Sequence, residues 1–152
     1  MKLHPIPFAL AIALSACAPG VKDTPKPGAT LPQAIVDPYL RIQTALARDS
    51  VDDVKSYAGN IATAASGLGA PAVKISMAAV QLTSAADLAD ARDRFGALSD
   101  AIVTYMDGLQ LAPPPGVRVA LCPMQKKPWL QEGSTIANPY YGSQMLTCGD
   151  FR

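Results

Sequence analysis

The sequence is poor in the residues that carry acid–base chemistry. Among its 152 residues it has one histidine, His4, and one glutamate, Glu132. Acid–base and nucleophilic mechanisms need paired groups within hydrogen-bond reach, and we find no such pair. We therefore predict that the protein is not an enzyme. Charged residues make up only 16% of the chain and the formal net charge is +1, which argues against nucleic acid as a partner.

The N-terminus is typical of a bacterial lipoprotein. Lys2 supplies a positive charge, and the apolar run from Ile6 to Leu14 is too short to span a bilayer. The run ends in Leu-Ser-Ala before Cys17, the pattern of a lipobox, whose cysteine is lipidated and becomes the new N-terminus. The alternative is an ordinary secretory signal in which the cysteine is incidental. We predict a signal peptide over 1–16 and lipidation of Cys17.

This assignment fixes the expected compartment and the expected mature chain. The acyl chains on Cys17 make the membrane a partner of the protein through a lipid anchor. Ala18 is uncharged, which favours the periplasmic face of the outer membrane over retention at the inner membrane. Cleavage removes His4 together with Lys2, so the mature chain has no histidine and a formal net charge near zero.

Composition then divides the mature chain into three parts. Residues 17–36 are rich in proline and glycine and are predicted to form a lipidated, flexible tether. Residues 37–111 carry the helical periodicity. Residues 112–152 begin with Ala112 and three consecutive prolines. They continue as a segment that contains cysteine and methionine and is predicted to pack on the helices.

Four amphipathic segments joined by short turns predict an all-α fold, an antiparallel four-helix bundle. The first helix is predicted to start at Asp37-Pro38, since a capping residue followed by proline is typical of a helix start. The expected core includes five large side chains, namely Leu46, Ile61, Phe95, Leu98 and Ile102. In the third helix the expected inward-facing residues are Val73, Met77 and Val80.

The C-terminal segment is predicted to be irregular with a short terminal helix. Asn138-Pro139 repeats the capping signal, so a helix is expected from Pro139 to Cys148. On that helix Met145 and Cys148 would share one face. Cys122 and Met124 would share one side of an extended stretch, because side chains alternate along a strand.

These four sulfur-containing residues form the candidate metal site. Cys122, Met124, Met145 and Cys148 offer thiolates and thioethers, soft donors that select Cu(I), with Ag(I) as its mimic, over hard cations. Two cysteines without histidine are a poor ligand set for zinc. Trp129, Tyr140 and Tyr141 are expected to shield the site from solvent.

A structural disulfide between Cys122 and Cys148 is the alternative, and the periplasm permits it. It would close a loop of about 27 residues and contribute roughly 3 kcal/mol in the chain-entropy model. In that case the methionines only fill gaps in a small core. The residues by themselves leave both possibilities open.

The tail resembles a known family. Its spaced motif is similar to a family of periplasmic domains of unknown function that occur in secreted proteins and lipoproteins, and that are also appended to periplasmic adaptor subunits of copper/silver efflux systems. The residues that carry the similarity are Cys122-Pro123-Met124, Trp129-Leu130, Asn138-Pro139-Tyr140-Tyr141-Gly142, Met145-Leu146 and Cys148-Gly149.

The resemblance extends over roughly residues 38–149 and implies copper handling, with metal-efflux or copper-delivery proteins as partners. The chain departs from the family pattern at residues 125–128, where Gln-Lys-Lys-Pro replaces a run of small residues that includes glycine. We therefore expect a periplasmic lipoprotein that binds a soft metal ion, with a non-enzymatic structural or interaction lipoprotein as the alternative.

Overall fold

The computed structural model describes residues 28–152. It contains four α-helices followed by three short strands. The predicted signal peptide over 1–16, Cys17 and most of the predicted tether lie outside the described residues. The helices are α1 (Gln33–Ala47), α2 (Val54–Ser66), α3 (Val73–Thr83) and α4 (Leu88–Leu109), and the strands are β1 (Val117–Cys122), β2 (Lys127–Glu132) and β3 (Asp150–Phe151).

The prediction of an all-α fold is wrong, although the four helices are present. The three strands form an antiparallel sheet in the order β2-β1-β3. β2 contains Pro128, which breaks most strand patterns but is tolerated at the edge of a sheet, where β2 lies. The sheet joins the helices because β2 packs against both α4 and α1. The fold is therefore mixed, with helices stacked in chain order and a small sheet against the first and last of them.

The folded part of the chain begins earlier than the predicted boundary between 36 and 37. Pro32 precedes α1, and Pro38 lies inside the helix instead of opening it. Leu31 is 1% exposed and its N–H donates to the carbonyl of Ala112 at 3.3 Å, while the N–H of Ala112 donates to Ala29 at 3.0 Å. These contacts hold the stretch before α1 against the segment after α4, so it is not a free tether from about residue 29 onward.

Helices and sheet share one hydrophobic core. All five predicted core residues are buried with no exposed surface, which confirms the helical phase of α1, α2 and α4; they are Leu46, Ile61, Phe95, Leu98 and Ile102. Trp129 and Leu130 of β2 belong to the same cluster. Among the helices described between residues 28 and 152, none has the length and apolar character needed to cross a bilayer.

The predicted phase of α3 is wrong. The three residues expected to face inward are 52%, 60% and 54% exposed, namely Val73, Met77 and Val80. The opposite face is buried instead and carries Ile75, Ala78, Ala79 and Leu82. Both sets repeat at helical spacing, so periodicity did not separate them. Within the buried set, Ala78 and Ala79 have small side chains, which favour close packing of α3 against its neighbours α2 and α4.

A buried polar contact connects α1, α4 and β2. The hydroxyl groups of Tyr39 and Ser99 are 2.6 Å apart, and the N–H of Leu130 donates to the Tyr39 oxygen at 3.2 Å. Because the Tyr39 oxygen accepts from Leu130, the hydrogen of the Tyr39 hydroxyl is available for a hydrogen bond to Ser99. Burial raises the pKa of Tyr39 above its usual range, so the phenol stays protonated. Ser99 therefore has a structural partner across the core.

Candidate functional site

Cys122 is the last residue of β1 and lies in the core with no exposed surface. It pairs with Lys127 across the β1–β2 hairpin. Its sulfur accepts two hydrogen bonds, one from the backbone N–H of Gln125 at 3.5 Å and one from Nδ2 of Asn138 at 3.3 Å. The thiol is thus held by two donors at the point where the strand ends.

Cys148 lies two residues before β3 and is partly exposed. β3 pairs with β1 through Leu121 and Asp150, so the chain just before β3 runs beside the end of β1. Nδ2 of Asn138, which contacts the Cys122 sulfur, also donates to the carbonyl of Cys148 at 2.7 Å. Both cysteines are free thiols in this structure. The sheet register and the Asn138 amide therefore bring the backbone at Cys148 close to Cys122.

The two methionines lie at the surface. Met124 is in the turn between β1 and β2 and is 62% exposed. Since β1 ends at Cys122, the alternation argument that placed both residues on one side of a strand does not apply. Met145 is 37% exposed and follows a single 3-10 turn, Gly142–Gln144. The carbonyl of Met145 accepts a hydrogen bond from the N–H of Cys148 at 3.0 Å, so the chain turns between these two residues.

The short helix predicted from Pro139 to Cys148 is wrong. The segment starts as a helix would, because Asn138 Oδ1 accepts from the N–H of Tyr140 at 2.8 Å and the Asn138 carbonyl accepts from Gly142 at 3.1 Å. Gly142 then adopts a φ of +54°, outside the right-handed helical region. The chain turns back, and the N–H of Asn138 donates to Leu146 at 2.7 Å. Asn138-Pro139 therefore starts a loop that the hydrogen bond between Asn138 and Leu146 closes, and not a helix.

Two of the three aromatic residues predicted to shield the site are buried, namely Trp129 and Tyr140. Trp129 is fully buried and meets the Tyr140 ring edge-on, with the centroids 5.9 Å apart. A Cβ on Gly149 would lie 2.5 Å from the Trp129 ring, so the residue beside Cys148 packs directly on the indole. The Tyr140 hydroxyl donates to the Pro128 carbonyl. Burial raises the pKa of Tyr140 above its usual range, so it remains a donor.

Residues of α1, of the α1–α2 connection and of α4 hold the loop from 137 to 143 in place. Gln43 of α1 donates to the Ala137 carbonyl at 2.7 Å, and Nε of Arg92 on α4 donates to the Pro139 carbonyl at 3.0 Å. Arg92 also pairs with Asp49 at 2.5 Å, and Asp49 accepts from the N–H of Ser143 at 3.2 Å. The hydrogen bond from Ser143 and the Arg92 guanidinium hold the pKa of Asp49 below its usual value.

Sequence reasoning found the cysteines but missed the residues that position them. The sequence predicts that Asn138 caps a helix, and it predicts no role for Arg92 at the site. Their partners lie far away in the chain, so no local pattern revealed these roles. The only hint in the sequence is that Asn138 lies between the two cysteines.

The described part of the chain offers few groups of side chains that could bind a metal ion. From residue 28 to residue 152 there is no cluster of three or more histidine, cysteine, aspartate or glutamate side chains that could hold a metal ion. A metal site at Cys122 and Cys148 would therefore depend on thioethers for further ligands. Two thiols with thioethers suit a soft monovalent ion, which accepts low coordination numbers and sulfur donors.

Comparison of the chain with protein-family models, with curated proteins and with solved structures finds no match.

Proposed function

We propose that the protein is a lipid-anchored periplasmic protein of the outer membrane that binds a soft metal ion, Cu(I), in copper handling or tolerance. The observation that supports the proposal is the Asn138 side-chain amide, which donates to the Cys122 sulfur at 3.3 Å and to the backbone carbonyl of Cys148 at 2.7 Å. The lipobox before Cys17 supports the compartment. The resemblance of the tail to domains attached to copper/silver efflux adaptors supports the metal.

The arrangement suits an ion that is taken up and released. Cys122 is fully buried, Cys148 is partly exposed, and the thioether-bearing residues Met124 and Met145 lie at the surface. Soft thiolate and thioether ligands favour Cu(I) over zinc, which prefers four thiolate, imidazole or carboxylate ligands. Exposed thioethers beside a partly exposed thiol would let a metal-efflux or copper-delivery protein exchange the ion directly.

The second candidate function is structural. The backbone at Cys148 lies beside the end of β1, so the second candidate is a disulfide between Cys122 and Cys148, which would tie the end of β1 to the residues just before β3. The protein would then be a non-enzymatic interaction lipoprotein whose methionines have no ligand role. Free-thiol content and metal content of protein purified without reductant separate the two candidates.

The decisive experiment removes the thioethers and keeps the thiols. Met124→Leu combined with Met145→Leu nearly conserves side-chain volume, so stability should change little. If the thioethers are ligands, Cu(I) affinity should fall by at least about tenfold in an anaerobic titration against a competing chelator. Met77→Leu is the matched control, because Met77 is 60% exposed on α3 and Met124 is 62% exposed in the tail.

Two results together would reject the metal site. They are unchanged Cu(I) affinity in the double variant and the absence of free thiols in protein isolated under air. The Cys122–Cys148 disulfide would then be the better account of the tail.

A further inference from the structure

Asn138 is the only residue whose side chain contacts both cysteines among the hydrogen bonds of residues 28–152. It has no exposed surface, although asparagine is normally a surface residue. A buried amide must satisfy its polar atoms within the protein, and this one does so with the cysteine segment.

The orientation of this amide follows from its partners. The backbone N–H of Tyr140 can only donate, so the atom it contacts at 2.8 Å must be the amide oxygen. The carbonyl of Cys148 can only accept, so the atom 2.7 Å from it must be the amide nitrogen. The nitrogen carries a second hydrogen, and the Cys122 sulfur lies 3.3 Å away to receive it.

The Cys122 sulfur therefore accepts from two N–H groups, because the backbone of Gln125 also donates to it at 3.5 Å. A neutral thiol is a weak acceptor and does not require two donors. A sulfur that carries negative charge is a stronger acceptor, and hydrogen bonds to charged groups are about twice as strong as neutral ones. No acidic side chain contacts this sulfur among the described hydrogen bonds.

We propose that Asn138 is a positioning residue for a soft-metal dithiolate. One N–H of its amide compensates the charge on the Cys122 sulfur when a metal ion is bound, and the other fixes the backbone of Cys148 so that its thiol faces the same ion. The proposal rests on the proposed function and extends it. Cys122 and Cys148 become the primary metal ligands, and Asn138 holds them in place through its hydrogen bonds. Outer-shell partners of metal ligands commonly change metal affinity by about 10–100-fold.

Asn138→Asp tests the role with little change in shape. An aspartate keeps the oxygen that accepts from Tyr140 and loses both donors, and it places a second oxygen against the Cys122 sulfur and the Cys148 carbonyl. We expect Cu(I) affinity to fall by about 10–100-fold in an anaerobic titration against a competing chelator. Far-ultraviolet circular dichroism and thermal unfolding would show whether the variant keeps the wild-type fold.

Gln43→Met is the matched control. Gln43 is also a buried side-chain amide, and it holds the neighbouring residue by donating to the Ala137 carbonyl at 2.7 Å, but it contacts no sulfur. The Gln43→Met variant should be less stable than the wild type, but the Cu(I) affinity of its folded form should stay within about threefold of the wild-type value. If Gln43→Met loses as much affinity as Asn138→Asp, Asn138 has only a structural role and the proposal is overturned.

A measurement on the wild-type protein decides the question even if Asn138→Asp does not fold. The side-chain amide signals of Asn138, Gln43 and Gln131 report on three buried amides, of which only Asn138 contacts a sulfur. On titration with Ag(I), the nitrogen–proton signals of Asn138 and the backbone signal of Gln125 should shift. Those of Gln43 and Gln131 should stay in place. An unmoved Asn138 signal at saturating Ag(I) would overturn the proposal.

The outcomes separate this inference from the proposed function. Wild-type protein that binds neither Cu(I) nor Ag(I) would reject the metal site and the role of Asn138 with it. Wild-type protein that binds Cu(I), together with a folded Asn138→Asp variant of equal affinity, would reject the role of Asn138 alone.

Discussion

Two independent structural requirements favour glycine at position 142. Its φ of +54° lies in the left-handed region, which an L residue enters at a cost of about 1–2 kcal/mol. A Cβ at this position would also collide with the Asp49 carboxylate and the Arg92 guanidinium. The glycine therefore lets the loop that carries Asn138 pack directly against an ion pair.

Replacing Gly142 with alanine should destabilise the protein by more than about 1 kcal/mol, because the strained backbone and the collision act together. Urea unfolding monitored by the fluorescence of buried Trp129 would measure the loss. Gly108→Ala is the control, since Gly108 lies in α4 with no atom within 4 Å of an added Cβ, and alanine is the better helix former there. A Gly142→Ala variant as stable as Gly108→Ala would contradict this account of the loop.

At the scale of single residues, the sequence identified side chains by their chemistry but not by their partners. Cys122 and Cys148 stood out because sulfur ligands are recognisable wherever they lie. Asn138 did not, because its role depends on residues 10 and 16 positions away that a chain reversal brings back. Arg92 contacts Pro139 across 47 residues, which no local pattern encodes.

At the scale of elements, apolar periodicity predicted the long helices and failed for the short pieces. β2 buries three consecutive residues, Trp129, Leu130 and Gln131, so it lacks the alternation typical of a strand. β3 has two residues, too few for any pattern. These pieces exist because tertiary partners complete their hydrogen bonds, and the partners are not visible in the local sequence.

The contact between the α1–α2 connection and the tail should depend on pH through Asp49. Its pKa in the folded protein is lower than its ordinary value of 3.8, so ionised Asp49 stabilises the fold above that value. The stabilisation is lost as the pH falls through the lowered pKa and the carboxylate is protonated. Asp49→Asn should therefore lower Tm at neutral pH, and this effect on Tm should shrink as the pH falls below 3.8.

Thermal unfolding of both proteins across this pH range would check the prediction. Asp52→Asn, an exposed aspartate of the same connection, controls for the loss of one negative charge. A Tm difference between wild type and Asp49→Asn that stays constant as the pH falls would mean that the ion pair with Arg92 does not hold the tail.

At the scale of the whole molecule, membrane attachment is expected to depend on Cys17, which lies outside the described residues. Cys17→Ser should leave the precursor uncleaved by the lipoprotein signal peptidase and release the protein from the detergent phase. Detergent partitioning and the mass of the mature chain would measure both effects. Cys122→Ser is the control, because a change in the folded domain should not alter anchoring. Normal anchoring of Cys17→Ser would reject the lipobox.

The distance along the chain between contacting residues differs sharply within this fold. Helices α1 to α4 pack mainly on their sequence neighbours, whereas Tyr39 contacts Leu130 across 91 residues and Gln43 contacts Ala137 across 94. Local contacts form sooner than distant ones, because less chain entropy is lost in closing a short loop. We therefore expect the helices to assemble before the tail docks. Until it does, Cys122 and Cys148 are two separate thiols. If the protein is periplasmic, as proposed, they are then open to pairing with cysteines of other proteins, and the rate of tail docking sets how long that exposure lasts.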